Sequence, residues 1–132
     1  MYLVDTNIVS EARRERAEAV AWLRGVDPAT VYLSVVTLGE IMRGADMKRN
    51  RDPAAAGRLL DWLEKLRRDH GHRILPITDA IAIEWGRLAA VRTRGDADGL
   101  IAATALVHGL AVVTRNKRDF DDAGLTVINP FA

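Results

Sequence analysis

Acidic residues follow short apolar runs at several points of the sequence, where they could hold a cation or move a proton. Asp5 comes directly after Leu3 and Val4, and Asp119 lies a few residues beyond the most apolar run, residues 110–114. If these runs are parallel strands, their carboxyl ends meet at one edge of a sheet, where ligand chemistry gathers. The spacing therefore allows acids that are far apart in the chain to share a pocket.

Two further acids, Asp96 and Asp98, precede an apolar stretch of residues 99–108 that predicts a buried helix closed by Gly109. A helix N-terminus favours an anion, so we expect one of these two acids to cap the helix. The second carboxylate would be costly beside a buried helix start unless a cation accompanied it.

Each acid also has an ordinary structural interpretation. Asp5 can cap a helix that begins near Asn7, and Asp119 can be a loop acid or a helix cap. Glu40 flanks the apolar stripe of a predicted helix, where it can pair with Arg43 at the surface. The residue types alone do not choose between these roles and a shared site.

Carboxylates gathered in one pocket would need a positive partner. Two of them about 4 Å apart repel each other by about 4 kcal/mol at an effective dielectric constant of about 20. Oxygen ligands favour Mg²⁺ or Mn²⁺. Such ions activate water and stabilise a leaving phosphate oxygen, so the acids indicate a site suited to phosphodiester cleavage.

The elements that would position these acids alternate along the chain. Short apolar runs predict strands, and apolar residues at a helical period lie between them. This alternation indicates an α/β fold with a central, mostly parallel sheet flanked by helices on both faces. The predicted strands are residues 2–4, 31–34, 74–77, 110–114 and 125–128, and the predicted helices are residues 7–14, 16–25, 36–48, 53–70, 78–91 and 99–108.

Composition excludes several other classes of protein. The chain has 132 residues, enough for one domain, and it has no cysteine, which excludes disulfides and thiolate zinc sites. It shows no signal-peptide pattern and no apolar run long enough to span a bilayer, so we expect a soluble cytoplasmic protein. The net charge of +1 favours no class of partner. No glycine-rich phosphate loop and no serine or cysteine nucleophile motif is present.

Four sets of residues along almost the whole chain match the motifs of one family. The most specific is the block from Asp98 to Ala105, Asp-Gly-Leu-Ile-Ala-Ala-Thr-Ala, and it is reinforced by the block from Thr114 to Phe120. Val-Asp-Thr-Asn at positions 4–7 and Glu40 add to them. Together these residues resemble the PIN-domain toxins of the VapC group, closest to the FitB-like branch.

The resemblance implies one PIN domain over residues 1–132. It implies a metal-dependent endoribonuclease that uses Mg²⁺ or Mn²⁺ and acts as the toxin of a toxin–antitoxin pair. The implied partners are an RNA substrate, a small antitoxin protein and a second copy in a homodimer or larger assembly. The resemblance selects Asp98 over Asp96, whose role stays open. The implied catalytic acids are Asp5, Glu40, Asp98 and Asp119, the implied metal ligands are Asp5, Asp98 and Asp119, and the supporting polar residues are Thr6 and Asn116.

On this basis we expect water to attack an RNA phosphodiester. Asp5 and Asp98 would hold one ion, Glu40 would hold the water or accept its proton, and Asp119 would complete a second ion position or act through water. Two alternatives stay open: a non-catalytic PIN module that binds RNA or a protein, and a phosphatase that forms an aspartyl-phosphate. The phosphatase usually has a second aspartate two residues after the first, where this chain has Asn7.

Overall fold

A single sheet of five short parallel strands forms the centre of the computed structural model, which describes residues 1–132. Along the sheet the strand order is β3-β2-β1-β4-β5, so the first strand is central. The predicted α/β class with a parallel sheet is confirmed. The strands are β1 (Tyr2–Val4), β2 (Val31–Ser34), β3 (Ile74–Leu75), β4 (Ala111–Val113) and β5 (Val127–Ile128).

Six helices connect these strands, and most begin with a side chain that satisfies a free backbone N–H. Ser34 Oγ accepts from the backbone N–H of Val36 at 3.0 Å, and Asp52 Oδ1 accepts from that of Ala55 at 3.0 Å. The helices are α1 (Thr6–Arg13), α2 (Ala17–Arg24), α3 (Val35–Lys48), α4 (Pro53–His70), α5 (Asp79–Val91) and α6 (Asp96–His108).

Alternation along each strand divides the core between the two faces of the sheet. On β1, Leu3 packs in one buried cluster and Val4 in the other, and on β4 the same holds for Val112 and Val113. The cluster that contains Val4 includes residues of α1, α2, α3 and α4, whereas the cluster that contains Leu3 includes residues of α6. Helices therefore cover both faces, as predicted.

The strands that follow β1 in the chain are added first on one side of it and then on the other, which creates a switch point between β1 and β4. The chain moves from β1 to β2 and β3 on one side, then returns to β4 and β5 on the other. In open parallel sheets, a crevice for ligands lies outside the carboxyl ends of the strands at such a point. Asp5 follows β1 directly and Thr114 follows β4 directly, so both residues lie at this crevice.

Several predicted boundaries were wrong. The helix α6 begins at Asp96 rather than at residue 99, so Asp96 and Asp98 lie within its first turn. Neither acid caps the helix, because the N-cap residue is Gly95 and no side chain bonds there. The strand β3 ends at Leu75, before Pro76, whose ring nitrogen has no hydrogen to donate to a neighbouring strand.

The last two strands are also shorter than predicted, since β4 spans Ala111–Val113 and β5 spans Val127–Ile128. The end of α6 agrees with the prediction, because Gly109 has a φ of 67° in the left-handed region that glycine favours. None of the helices combines the length and apolar character that crossing a bilayer requires.

Candidate active site

Asp5 is the most buried acid of the site, with 4% of its surface exposed. Its Oδ1 accepts from the backbone N–H of Thr6 at 2.7 Å, so it is the N-cap of α1, as its ordinary interpretation proposed. Its Oδ2 accepts from the hydroxyl of Thr114 at 2.8 Å. The cap and the bond to Thr114 fix the carboxylate at the switch point, so capping does not remove Asp5 from the site.

The Thr114 hydroxyl connects the two strand ends. It donates to Asp5 and accepts from the side-chain amide of Asn7 at 3.3 Å and from the backbone N–H of Asn116 at 3.0 Å. The other end of the Asn7 amide accepts from the backbone N–H of Arg115 at 3.2 Å. A hydroxyl has one hydrogen and two lone pairs, so this fully buried group uses its whole hydrogen-bonding capacity.

Glu40 enters the site through a chain of hydroxyl groups. The Thr6 hydroxyl donates to Glu40 Oε1 at 2.6 Å and lies 2.8 Å from the Thr37 hydroxyl. Because the single Thr6 hydrogen points to Glu40, the contact with Thr37 requires that Thr37 donate to Thr6. Glu40 forms no ion pair with Arg43, so the predicted surface pairing was wrong.

The first turn of α6 supplies Asp98, which is partly exposed, whereas Asp96 in the same turn is exposed. Gly99 brings this turn close to α5, since a Cβ added at Gly99 would lie 2.9 Å from Cδ1 of Trp85. Such a contact is too short for a side chain larger than hydrogen. The packing of Gly99 on Trp85 therefore sets where the start of α6, and with it Asp98, lies.

Asp119 ends a 3₁₀ turn, Lys117–Asp119, that follows β4. The next residue, Phe120, is fully buried in the cluster that contains Leu3, and it anchors the turn. Asn116, predicted as a supporting polar residue, precedes the turn and accepts from the backbone N–H of Asp119 at 3.0 Å through its carbonyl oxygen. Its side chain makes no hydrogen bond within the chain.

The four predicted acids interact electrostatically. The pKa of Asp5 is raised to about 6, mainly by burial and also by the charges of Asp98 and Glu40, against the lowering effect of its hydrogen bonds with Thr114 and Thr6. Burial also raises the pKa of Asp98, with added repulsion from Asp119 and Glu40 and a partial offset by Arg94. Asp96 is not among the charges that act on either group. Asp5 is therefore coupled electrostatically to Asp98 and Glu40, and Asp98 to Asp119 and Glu40, whereas Asp96 acts on neither Asp5 nor Asp98.

Residues 2–125 match the PIN-domain family. The chain belongs to the PIN-domain family. It is 34% identical to Toxin FitB of Neisseria gonorrhoeae over 99% of both chains, and 36% identical to VapC ribonuclease Y4jK of Sinorhizobium fredii over 99% of this chain and 98% of that protein. Among solved structures, FitAcB of the same Neisseria species superposes with a TM-score of 0.89 at 33% identity, covering 99% of both chains.

The donors of this PIN domain fit a hydrated magnesium ion better than a fully enclosed one. No three histidine, cysteine or acidic side chains lie close enough together to hold one ion among them. Magnesium usually keeps several waters and takes one or two carboxylates. Asp5 and Asp98, both with raised pKa values and with only oxygen donors, suit such an ion. The assignment of Asp5, Asp98 and Asp119 as ligands stays a prediction.

Three polar residues of the PIN-domain site were not singled out from the sequence. Asn7 and Thr114 orient Asp5, and Thr37 supplies the hydroxyl group that bonds to Thr6. A signal existed for Thr37, which lies three residues before Glu40 on α3 and so shares its side of the helix. For Thr114 the signal was its place directly after β4.

Proposed function

We propose that this protein is a Mg²⁺- or Mn²⁺-dependent endoribonuclease and the toxin of a toxin–antitoxin pair. One observation carries the nuclease proposal. Acids from four separate segments are coupled at the carboxyl edge of the sheet, since Asp98 and Glu40 act on Asp5, and Asp119 and Glu40 act on Asp98. None of these four acids forms an ion pair, and Arg94 offsets the charge of Asp98 only in part, so most of this negative charge is not neutralised within the chain.

Asp5 and Asp98 are the residues that would hold the ion, with Asp119 completing a second position. A bound divalent ion would activate water for attack and stabilise the leaving phosphate oxygen. The chain's own part is to keep these carboxylates in place. The bonds from Thr114 and from the Thr6 backbone restrict the rotation of the Asp5 carboxylate, so little reorganisation is needed when substrate arrives.

Glu40 is suited to accept the proton of the attacking water. Its Oε1 accepts from the Thr6 hydroxyl, which leaves Oε2 available at the edge of the site. The Thr37 to Thr6 to Glu40 series of hydroxyl bonds holds the carboxylate without neutralising it, as a general base requires. No histidine takes part in this step.

The relatives support the toxin and partner parts of the proposal. Of the two sequence relatives, FitB is named a toxin and Y4jK is named a ribonuclease. A toxin–antitoxin complex from Klebsiella pneumoniae superposes with a TM-score of 0.72 at 29% identity. By analogy, we expect this chain to bind a small cognate antitoxin, in an assembly with at least one further copy of the toxin.

Purified protein is expected to cleave single-stranded RNA with Mn²⁺ or Mg²⁺ and to stop when EDTA removes the ion. The reason is that the carboxylates repel both each other and the phosphate unless a cation is present. Gel analysis of a labelled RNA with Mn²⁺, with EDTA, and with Mn²⁺ restored after EDTA measures this. Cleavage that continues at full rate in EDTA would reject the metal mechanism. Absence of cleavage under all conditions would favour the non-catalytic module.

Expression of the chain in a bacterial host is expected to slow growth, and coexpression of its cognate antitoxin is expected to restore it. Growth curves for the wild type, for Asp98→Asn and for the coexpressed pair measure the effect. Equal growth inhibition by wild type and Asp98→Asn would show that the inhibition does not come from the acidic site. That result would contradict the proposal that the nuclease activity makes this protein a toxin. The nuclease activity itself would still be tested by the cleavage assay.

A further inference from the structure

Arg94 is a buried arginine in the connection between α5 and α6, four residues before Asp98. Only 2% of its side-chain surface is exposed. Removing a guanidinium from water is costly unless charged and polar partners compensate for the lost hydration. The sequence gives Arg94 no recognisable role, since it belongs to none of the motifs of the acidic quartet. Its partners therefore indicate what the buried charge does.

Those partners all lie in the segment that carries Asp119. Arg94 Nη1 donates to the backbone carbonyl of Asp119 at 2.7 Å. Its Nη1 and Nη2 also donate to the two carboxylate oxygens of Asp122 at 3.2 and 3.0 Å, a paired geometry with high directional specificity. Nε has no partner, so the three side-chain hydrogen bonds of Arg94 all go to this one segment.

Arg92 adds to the same attachment from the exposed side. Its Nη2 donates to the backbone carbonyl of Arg118 at 2.6 Å, and its Nη1 lies 3.3 Å from Asp122 Oδ1. Two arginines that precede α6 thus hold two successive carbonyl groups and one carboxylate of the segment after β4. The contacts therefore join the segment that leads into α6, which carries Asp98, to the segment that carries Asp119.

Without these arginines the segment has few other attachments. The backbone hydrogen bonds of residues 119–123 run to residues 116, 117 and 120, within the same turn. Phe120 anchors the segment in the core, and its backbone N–H bonds to the Lys117 carbonyl within the turn. The bond from Arg94 to the Asp119 carbonyl is therefore what links this turn to the segment before α6.

We propose that Arg94 and Asp122 form a strap that positions Asp119 against Asp98 across the acidic site. Both are positioning residues: Arg94 acts through the Asp119 carbonyl, and Asp122 acts by fixing the guanidinium plane. The proposal rests on the metal-dependent function, since its expected consequence is that Asp119 is placed where it can help to hold a cation. Residues that orient ligands commonly change metal affinity by roughly 10- to 100-fold when they are removed.

The test compares Asp122→Asn and Arg94→Lys with Arg87→Gln. Asp122→Asn removes the charge and one acceptor while keeping the side-chain volume, and Arg94→Lys keeps the charge but not the paired geometry. Arg87→Gln is the matched control because it breaks an arginine–carboxylate contact of 3.0 Å to Glu84 within α5, and neither residue is among the charges that act on Asp5 or Asp98. Three properties are measured: hydrogen exchange of residues 115–123 in EDTA, Mn²⁺ binding by calorimetry, and kcat and KM for RNA.

Asp122→Asn is expected to speed exchange in this segment, to weaken Mn²⁺ binding roughly tenfold, and to lower kcat with little change in KM. Arg94→Lys should show the same pattern, and Arg87→Gln should match wild type. If Arg94→Lys does not fold, Asp122→Asn decides alone, since its carboxylate is partly exposed. A lower melting temperature with unchanged Mn²⁺ affinity and unchanged exchange would mean a structural ion pair only and would overturn the strap.

Failure of the strap and failure of the proposed function give different results. If wild type binds Mn²⁺ and cleaves RNA but Asp122→Asn binds and exchanges like wild type, the strap is wrong and the function stands. If wild type itself neither binds Mn²⁺ nor cleaves RNA, the function is wrong, and hydrogen exchange decides the strap. Unchanged exchange then rejects it, and faster exchange confined to residues 115–123 supports it.

Discussion

Asp5→Asn is expected to reduce RNA cleavage by roughly a thousandfold, equivalent to about 4 kcal/mol of transition-state stabilisation, while the protein still folds cooperatively. Asparagine keeps the volume and one carbonyl oxygen, so the cap of α1 can persist. It removes the charge that would hold the ion at the switch point. Rates on labelled RNA with saturating Mn²⁺ measure the loss, and circular dichroism during heating confirms the fold.

The matched control is Asp52→Asn. Asp52 is also a helix N-cap, at the start of α4, and it accepts from a backbone N–H at 3.0 Å as Asp5 does at 2.7 Å. It is exposed and has no part in the acidic site. Asp52→Asn should therefore cleave RNA at the wild-type rate. Full activity of Asp5→Asn would contradict the site assignment, and equal losses in both variants would mean that capping alone explains the effect.

Asp5→Asn should also change how stability depends on pH when no metal is present. The pKa of Asp5 is about 6 in the folded protein against 3.8 for the ordinary group, so the folded state binds the proton more tightly than the unfolded state. Protonation of Asp5 therefore stabilises the fold. This stabilisation is complete below about pH 4 and is lost as the pH rises through 6.

In EDTA, lowering the pH from 7 to 4 is expected to stabilise wild type by about 2 kcal/mol relative to Asp5→Asn. Other acids titrate in both proteins, so the difference between the two isolates Asp5. Denaturant unfolding at each pH measures the free energies of unfolding. Parallel pH profiles for the two proteins would mean that the pKa of Asp5 is not raised in the folded protein.

The second large effect is expected from a pair of neighbouring acids in one helical turn. Asp98→Asn should reduce cleavage by roughly a thousandfold, as expected for loss of a cation-holding charge. Asp96→Asn should change the rate by less than about twofold, since a solvated first-turn acid contributes only a weak dipole interaction. Both substitutions remove one negative charge from the start of α6, so any shared effect on the helix cancels in the comparison.

Measurements of rate against Mn²⁺ concentration distinguish the possible causes of a loss. Asp98→Asn should need more Mn²⁺ for half-maximal activity, whereas Asp96→Asn should follow the wild-type curve. The reverse result, with Asp96→Asn inactive and Asp98→Asn active, would show that the assignment of Asp98 from the family resemblance is wrong. Equal losses in the two variants would mean that total charge at the helix start, rather than one ligand, governs activity.

The sequence was sufficient to predict the α/β class and to nominate all four acids, because both depend on short-range patterns. Strand ends and the acids after them are close together in the chain, so Asp5 and Asp119 could be nominated from their positions after apolar runs. The choice of Asp98 over Asp96 needed the family resemblance. Spacing could not make it, because the start of α6 depends on how Gly99 packs against Trp85, a contact between residues of different helices.

Other features could not be predicted because they depend on partners far away in the chain. The bond from Thr114 to Asp5 joins residues 109 positions apart, and the Thr6 to Glu40 bond joins residues 34 positions apart. The short charged segment around Arg94 is typical of a surface loop, and only the tertiary structure shows that the Arg94 side chain is buried. Local pattern thus located the charged groups but not the hydroxyl and guanidinium groups that orient them.

The pairing of β1 with β4 aligns Val4 with Val113, one residue before Asp5 and Thr114. A shift of either strand by one position would turn every side chain to the opposite face. Core residues would then point toward the wrong helices, and the carboxylate would lose its hydroxyl partner in the same event. The alignment that builds the native core therefore also builds the acidic site, so a misaligned chain would lack both.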